Sequence, residues 1–163
     1  MSNMKERIAV VPGSFDPLTL GHRNMIERCA ELFDRVVVGI LINPDKMGMF
    51  SMEERKQLAQ LSLSDIPNVI VETDSGYLTD FAERMGASVI VKGVRTTIDF
   101  EYEQKMAYFN RARNPKIETL YLPADETLAD VSSTAVREKL SRGEDLGNVL
   151  HPNAIAWLKA RNN

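Results

Sequence analysis

Ser14, His22, Lys46, Lys92, Arg95, Ser132, Ser133 and Thr134 make a set rich in hydroxyls and cations, with one imidazole and no evident nucleophile and base pair. That shortage is informative. Phosphoryl and nucleotidyl transfer depend mostly on alignment and on neutralising charge that spreads over phosphate oxygens, so they can proceed without a covalent intermediate. Other chemistries are poorly served. The chain has neither a G-x-x-x-x-G-K-S/T loop nor a G-x-G-x-x-G fingerprint, which removes P-loop kinases and ordinary dehydrogenases. Two histidines and one cysteine are too few soft ligands for a structural zinc site. His151, just before Pro152 and Asn153 at a predicted helix start, reads as structural.

The elements that must position these residues are legible from periodicity. Residues 8–11 are an unbroken apolar run, the mark of a parallel strand covered on both faces. A helix is predicted over residues 24–33, so the glycines, prolines and His22 between them fall where a strand turns into a helix. A helix start offers unpaired amides and the positive end of a dipole, and Gly13 and Gly21 are expected to let an anion approach the backbone. Residues 35–42 are a second strand, which ends in a turn cluster that delivers Lys46. Ser51 and Glu54 fit a capping box and open a helix through Leu58, Leu61 and Ser62. Residues 69–72 are a third strand, followed by a helix that buries Leu78, Phe81, Ala82 and Met85 and stops at Gly86. A fourth strand, residues 88–91, runs directly into Lys92, Gly93, Val94 and Arg95. A polar helix (98–113), a strand (118–122), a loop (123–130), a helix from Ser133 and a short helix (154–160) complete the chain.

This alternation predicts an α/β fold, Rossmann-like and doubly wound, with a mainly parallel five-stranded sheet and helices on both faces. Ligands of such sheets bind beyond the carboxyl ends of the strands, where all the candidate residues fall. At 163 residues one domain, 1–163, is expected. With 44% hydrophobic, 26% charged and 7% aromatic residues the chain reads as globular rather than disordered or fibrous. A net charge of −3 gives no bulk attraction for nucleic acid or an anionic membrane, so an anionic ligand needs a local site. No stretch approaches the roughly 18 apolar residues of a membrane span. The lone Cys29 cannot form an internal disulfide; it shares a predicted apolar helix face with Met25, Ile26, Leu32 and Phe33, and a cytoplasmic location is the default.

Four segments together carry a resemblance over nearly the whole chain. Thr19-Leu-Gly-His22 resembles the (His/Thr)-x-Gly-His signature of the nucleotidyltransferase superfamily. With the rest of residues 12–22, it joins Lys92-Gly-Val-Arg95, Asp99-Phe-Glu-Tyr-Glu103 with Asn110-Arg111, and Val131-Ser-Ser-Thr-Ala-Val-Arg137. The set is similar to the phosphopantetheine adenylyltransferase family; relatives that make cytidine or nicotinamide dinucleotides are the nearest confusions. The resemblance implies transfer of the adenylyl group of ATP to 4′-phosphopantetheine, giving dephospho-coenzyme A and pyrophosphate, with Mg²⁺ as cofactor and a homohexameric assembly. It implies that Ser14 touches both substrates, that Phe15 helps seat ATP, and that His22 stabilises the transition state at the α-phosphate. It also implies ATP binding by Gly93, Val94, Arg95, Glu103, Leu128, Ala129, Asp130, Val131, Ser132, Ser133 and Thr134. Lys46, Leu78 and Lys92 match positions on the acceptor side.

Two positions depart from the family pattern. Lys92 stands where arginine is usual, which keeps the charge and loses the bidentate fork, and Ser14 stands where threonine is frequent. A nucleotide-binding regulator without turnover is the competing class, and it is disfavoured because His22 and the Ser-Ser-Thr loop are intact. On this division of the cleft, Arg95→Ala and Ser133→Ala are expected to weaken ATP more than the acceptor, and Lys46→Ala the reverse. Calorimetric titration of each ligand into each variant checks this, and an inverted pattern would mean that the cleft is divided differently.

Overall fold

The computed structural model describes residues 4–45 and 47–162, and within them the alternation of strand and helix is regular. Five strands, β1 (Ile8–Gly13), β2 (Arg35–Leu41), β3 (Val69–Asp74), β4 (Val89–Val94) and β5 (Glu118–Pro123), form one sheet in the order β3-β2-β1-β4-β5. Every adjacent pair is parallel, so the sheet is wholly rather than mainly parallel. The helices are α1 (Leu20–Leu32), α2 (Met52–Leu63), α3 (Leu78–Arg84), α4 (Thr97–Arg113), α5 (Ser133–Ser141) and α6 (Pro152–Arg161). None is long and apolar enough to cross a membrane, among the described residues.

The strands are rich in β-branched residues and send alternate side chains to opposite faces. Ala9, Val11, Val36, Val38 and Ile40 pack on one face with Ile26 and Cys29 of α1 and Ala59 and Leu63 of α2. Ile8, Val10, Val37 and Ile90 pack on the other with Phe81 and Ala82 of α3. Burial pushes the Cys29 thiol up to about 11, in keeping with a core residue. Leu32, expected on the same apolar face, is instead 61% exposed at the end of α1.

A third cluster lies away from the sheet. Leu58 turns from the face of α2 that carries Ala59 and Leu63 and meets Phe50, Val136 of α5, and Ala154 and Leu158 of α6. α2 therefore ties the C-terminal helices to the sheet.

Boundaries shift where caps decide them. α1 begins at Leu20, not at residue 24, because the Thr19 hydroxyl accepts the His22 amide and the His22 ring accepts the Thr19 amide, a reciprocal cap. His151 caps α6 in the structural role read from the sequence. The strand at 88–91 continues through Val94, so Lys92 lies within β4 rather than past its end. The polar helix 98–113 is largely exposed, and it turns apolar side chains outward as well as polar ones. α4 buries only Asn110 and leaves Phe100, Tyr102, Met106, Tyr108 and Phe109 at 38 to 64% exposure.

Leu58→Ala is expected to cost about 2–5 kcal/mol, read as a lower urea midpoint at unchanged slope, since it opens a cavity between α2 and the C-terminal helices. A loss under about 1 kcal/mol would mean that this seam closes up around the gap.

Candidate active site

The strand order reverses at β1, with β2 on one side and β4 on the other, which is where a doubly wound sheet opens a crevice. β1 pairs with β2 over six residues but with β4 only at Ala9 and Val10. Pro12, which has no amide to give, comes just after, and the two strands part. Between them lies a cavity of about 710 Å³, within the range of small-molecule sites.

Most of the residues singled out in the sequence line this cavity: Ser14 and Phe15 from the turn between β1 and α1, and His22 from α1; Lys92, Gly93 and Arg95 from β4 and the turn after it. Glu103 of α4, Leu128, Val131 and Ser132 of the β5–α5 connection, and Ser133 and Thr134 of the first turn of α5 complete that group. Val94, Ala129 and Asp130 border it without lining it. The Val94 carbonyl accepts from the Ala124 amide at 3.0 Å, the Ala129 carbonyl accepts from Arg95 Nη1 at 3.1 Å, and Asp130 is exposed. Leu78 packs against the core cluster under α3 and is not part of the wall. Lys46 lies outside the described residues.

The His22 ring is oriented from its far side. The Thr19 amide donates to Nδ1 at 3.0 Å, so Nδ1 must be unprotonated and the proton of the neutral ring sits on Nε2, leaving one N–H donor for a ligand. Burial, then the charges of Arg95 and Lys92, lower the His22 pKa from 6.5 to about 4. The Thr19 hydroxyl meanwhile donates to the Val131 carbonyl at 3.2 Å, binding the start of α1 to the loop before α5.

Gly13 and Gly21 both line the cavity, and both are also hemmed in by protein atoms. A Cβ at Gly13 would sit 2.9 Å from the Phe15 ring, and one at Gly21 would sit 2.9 Å from the Val131 carbonyl, so both make room for protein atoms. The first-turn amides of α1 are also partly spoken for, Leu20 by the Val149 carbonyl and His22 by Thr19. The helix start that faces the cavity with hydroxyls is α5, where Ser132 caps Ala135 and the wall includes Ser133 and Thr134.

The cations in the wall are not bare. Lys92 Nζ lies 3.4 Å from Glu103 Oε1, and Arg95 Nε lies 3.4 Å from Asp99 Oδ2. Two acids on α4 thus stand against the two positive groups. Asn24, Met25, Ile98, Asp99, Tyr102, Asp125 and Arg137 also line the cavity and were not chosen from the sequence. Asp99, Tyr102 and Arg137 stood inside quoted motifs, which was the available signal, whereas Met25 and Ile98 looked like ordinary helix residues.

In NMR the His22 ring is expected to titrate near pH 4 rather than 6.5. The sign follows: above pH 6.5 the ring is neutral folded or unfolded, and below it the unfolded chain takes up a proton that the folded one refuses. Stability should therefore fall from pH 6.5 towards 4 more steeply in the wild type than in His22→Asn. A midpoint near 6.5 would place the ring in open solvent.

The cytidylyltransferase-like family model matches residues 10–139, a span that contains every cavity residue. A phosphopantetheine adenylyltransferase from Clostridium tetani is 49% identical over 131 residues, 80% of this chain and 82% of that one. Those from Heliobacterium modesticaldum and Ralstonia pickettii are each 42% identical, over 91% and 94% of this chain and 89% and 92% of theirs. The crystal structure of a Vibrio parahaemolyticus chain assigned as a nicotinate-nucleotide adenylyltransferase superposes with a TM-score of 0.73 at 21% identity, covering 96% of this chain and 93% of that one, a likeness of fold. The chain thus belongs to the cytidylyltransferase-like family and, within it, to the phosphopantetheine adenylyltransferases.

Proposed function

We propose that the protein transfers the adenylyl group of ATP to 4′-phosphopantetheine, releasing pyrophosphate and dephospho-coenzyme A. The observation that carries the reading is the neutral His22 ring, its proton on Nε2, set in a cleft with Lys92, Arg95 and the start of α5. An oxygen of the acceptor phosphate attacks the α-phosphorus in line. That bond forms as the bond from the α-phosphorus to the bridging oxygen breaks, and pyrophosphate leaves with the electron pair.

The roles divide by charge. The Nε2–H of His22 donates to an α-phosphate oxygen as charge builds there, a contact stronger in the transition state than in the ground state. Arg95 and the Ser132–Thr134 turn hold the nucleotide phosphates, with Phe15, Gly93, Val94, Glu103 and the 128–131 loop around ATP. Ser14 and Lys92 in the wall serve the acceptor, and Lys46 and Leu78, matched to the acceptor side by family resemblance, extend that side beyond the wall. On binding, the substrates' phosphates displace Glu103 from Lys92 and Asp99 from Arg95, which moves the charge of α4 rather than leaving cations unpaired.

Among the described residues no group of three or more His, Cys, Asp or Glu is placed to hold a metal ion, and the cavity carboxylates Asp99 and Glu103 are engaged with cations. Mg²⁺ is proposed as cofactor on the family resemblance, and Asp99 and Glu103 are carboxylates of the cavity that could approach it. When bound, the ion neutralises charge on the leaving pyrophosphate. The enzyme is read as cytoplasmic and homohexameric. The exposed aromatic and methionine side chains of α4, with Leu120 and Tyr77 beside them, support an assembly that covers them.

Pyrophosphate release decides the reading, measured with ATP and 4′-phosphopantetheine beside ATP with nicotinamide mononucleotide and CTP with glycerol phosphate. Only the first pair should turn over. His22→Ala is expected to lower kcat by about 10²–10³ with ATP binding little changed. Unaltered turnover in that variant would remove His22 from the chemistry.

A further inference from the structure

The turn at residues 14–17 is not held by its own backbone. Phe15 has φ 45°, a left-handed conformation that costs a bulky L residue about 1 kcal/mol or more. Its ring is nonetheless buried and meets the His22 ring edge-on, with centroids 5.0 Å apart. Such a conformation persists only where its surroundings over-determine it.

The surroundings are three carbonyl contacts. Ser133 Oγ donates to the Pro17 carbonyl at 2.8 Å, Arg137 Nη1 to the Asp16 carbonyl at 2.9 Å, and Arg55 Nη1 to the Ser14 carbonyl at 3.3 Å. Ser133 and Arg137 line the cavity. Arg55 does not; it is buried on α2, outside the cavity wall.

Arg55 is itself held in place. Its Nε donates to the Phe50 carbonyl at 2.9 Å and lies 3.3 Å from Asp16 Oδ1. The buried Asp16 carboxylate also accepts the amides of Met49 and Phe50, each at 2.9 Å. The backbone of Gly48 closes over the pair, and a Cβ there would fall 2.6 Å from Asp16 Oδ2 and 2.7 Å from Arg55 Cζ. Desolvation offsets most of what a buried ion pair contributes to stability, so its place directly under the strained turn points to a geometric role.

We propose that Arg55 is a positioning residue for adenylyl transfer, acting through the Ser14 carbonyl and Asp16 to hold residues 14–16 in the one conformation that keeps Ser14 on the cavity wall and Phe15 against His22. The assignment rests on the nucleotidyltransferase reading above. A guanidinium suits the task because its fixed fork reaches the Phe50 carbonyl, the Asp16 carboxylate and the Ser14 carbonyl at once. Lysine keeps the charge opposite Asp16 but cannot make all three contacts.

The test is Arg55→Lys, measured for melting temperature, for kcat and KM with ATP and 4′-phosphopantetheine, and for the NMR shifts of the His22 ring protons. The expected result is a folded protein whose kcat falls by roughly ten- to a hundredfold, the scale of a misplaced reacting group, with each KM within about threefold. The His22 ring protons should move as well, because the Phe15 ring no longer lies at the same edge. Wild-type kcat with wild-type His22 shifts overturns the proposal, and so does a fall in kcat matched by the unfolded fraction. If Arg55→Lys does not fold, Gly48→Ala takes its place under the same criteria, since the added methyl displaces the guanidinium from an exposed loop position outside the cavity wall. Should the wild-type protein release no pyrophosphate from any substrate pair, the functional reading fails. The NMR comparison then still decides whether Arg55 holds the turn.

Discussion

Everything about the site depends on β1 and β4 parting after two paired residues. A parallel ladder that continued to the strand ends would fill the crevice with backbone, and the turn at 14–17 would have no cavity to face. Pro12 cannot extend the ladder, and the Met25 thioether comes so close to Gly93 that a Cβ there would lie 2.7 Å from the sulfur. The gap is thus opened by a missing donor and bordered by an apolar side chain from α1. The cost in lost sheet bonds is local, because β1 keeps its full register with β2.

Charge in the crevice is paired on one side and suppressed on the other. Lys92 and Arg95 lie within salt-bridge reach of acids on α4, while the same two cations, added to burial, keep His22 neutral. These facts are linked. A neutral imidazole whose Nδ1 accepts a backbone amide has only one thing to offer a ligand, the Nε2 proton, and it offers it without bringing a charge of its own. The positive charge in the crevice sits instead on Lys92 and Arg95, whose partners are carboxylates on a single helix.

The helical side of the molecule supports this at a distance. α2 reaches the sheet through Ala59 and Leu63, the C-terminal helices through Leu58, and the turn beside His22 through Arg55. One helix therefore joins the core, the C-terminal layer and the wall of the site. Local packing changes along α2 will be felt at residues they never touch.

The element types, the α/β class and the parallel sense of the sheet were legible in the sequence, because apolar runs of valine and isoleucine alternate with helical spacing. So were most cavity residues, since hydroxyls and cations placed after strand ends converge in any sheet of this kind. Capping exchange at Thr19 and His22 moved a helix start by four residues and was not legible: the histidine could have been read as a loop donor or as part of the cap. What Gly13 and Gly21 are packed against was not legible for a related reason, as only the folded chain brings Phe15 and the Val131 carbonyl against them. Arg55 carried no sequence signal at all. It looked like one more charged residue on an amphipathic helix, and its contacts lie 5 and 41 positions away in the chain. Local propensity and periodicity are written in neighbouring residues, and so the sequence alone determined the elements and their order. Which buried charge meets which carbonyl, and which proton a ring keeps, was decided by contacts between distant segments, and those exist only once the chain has closed.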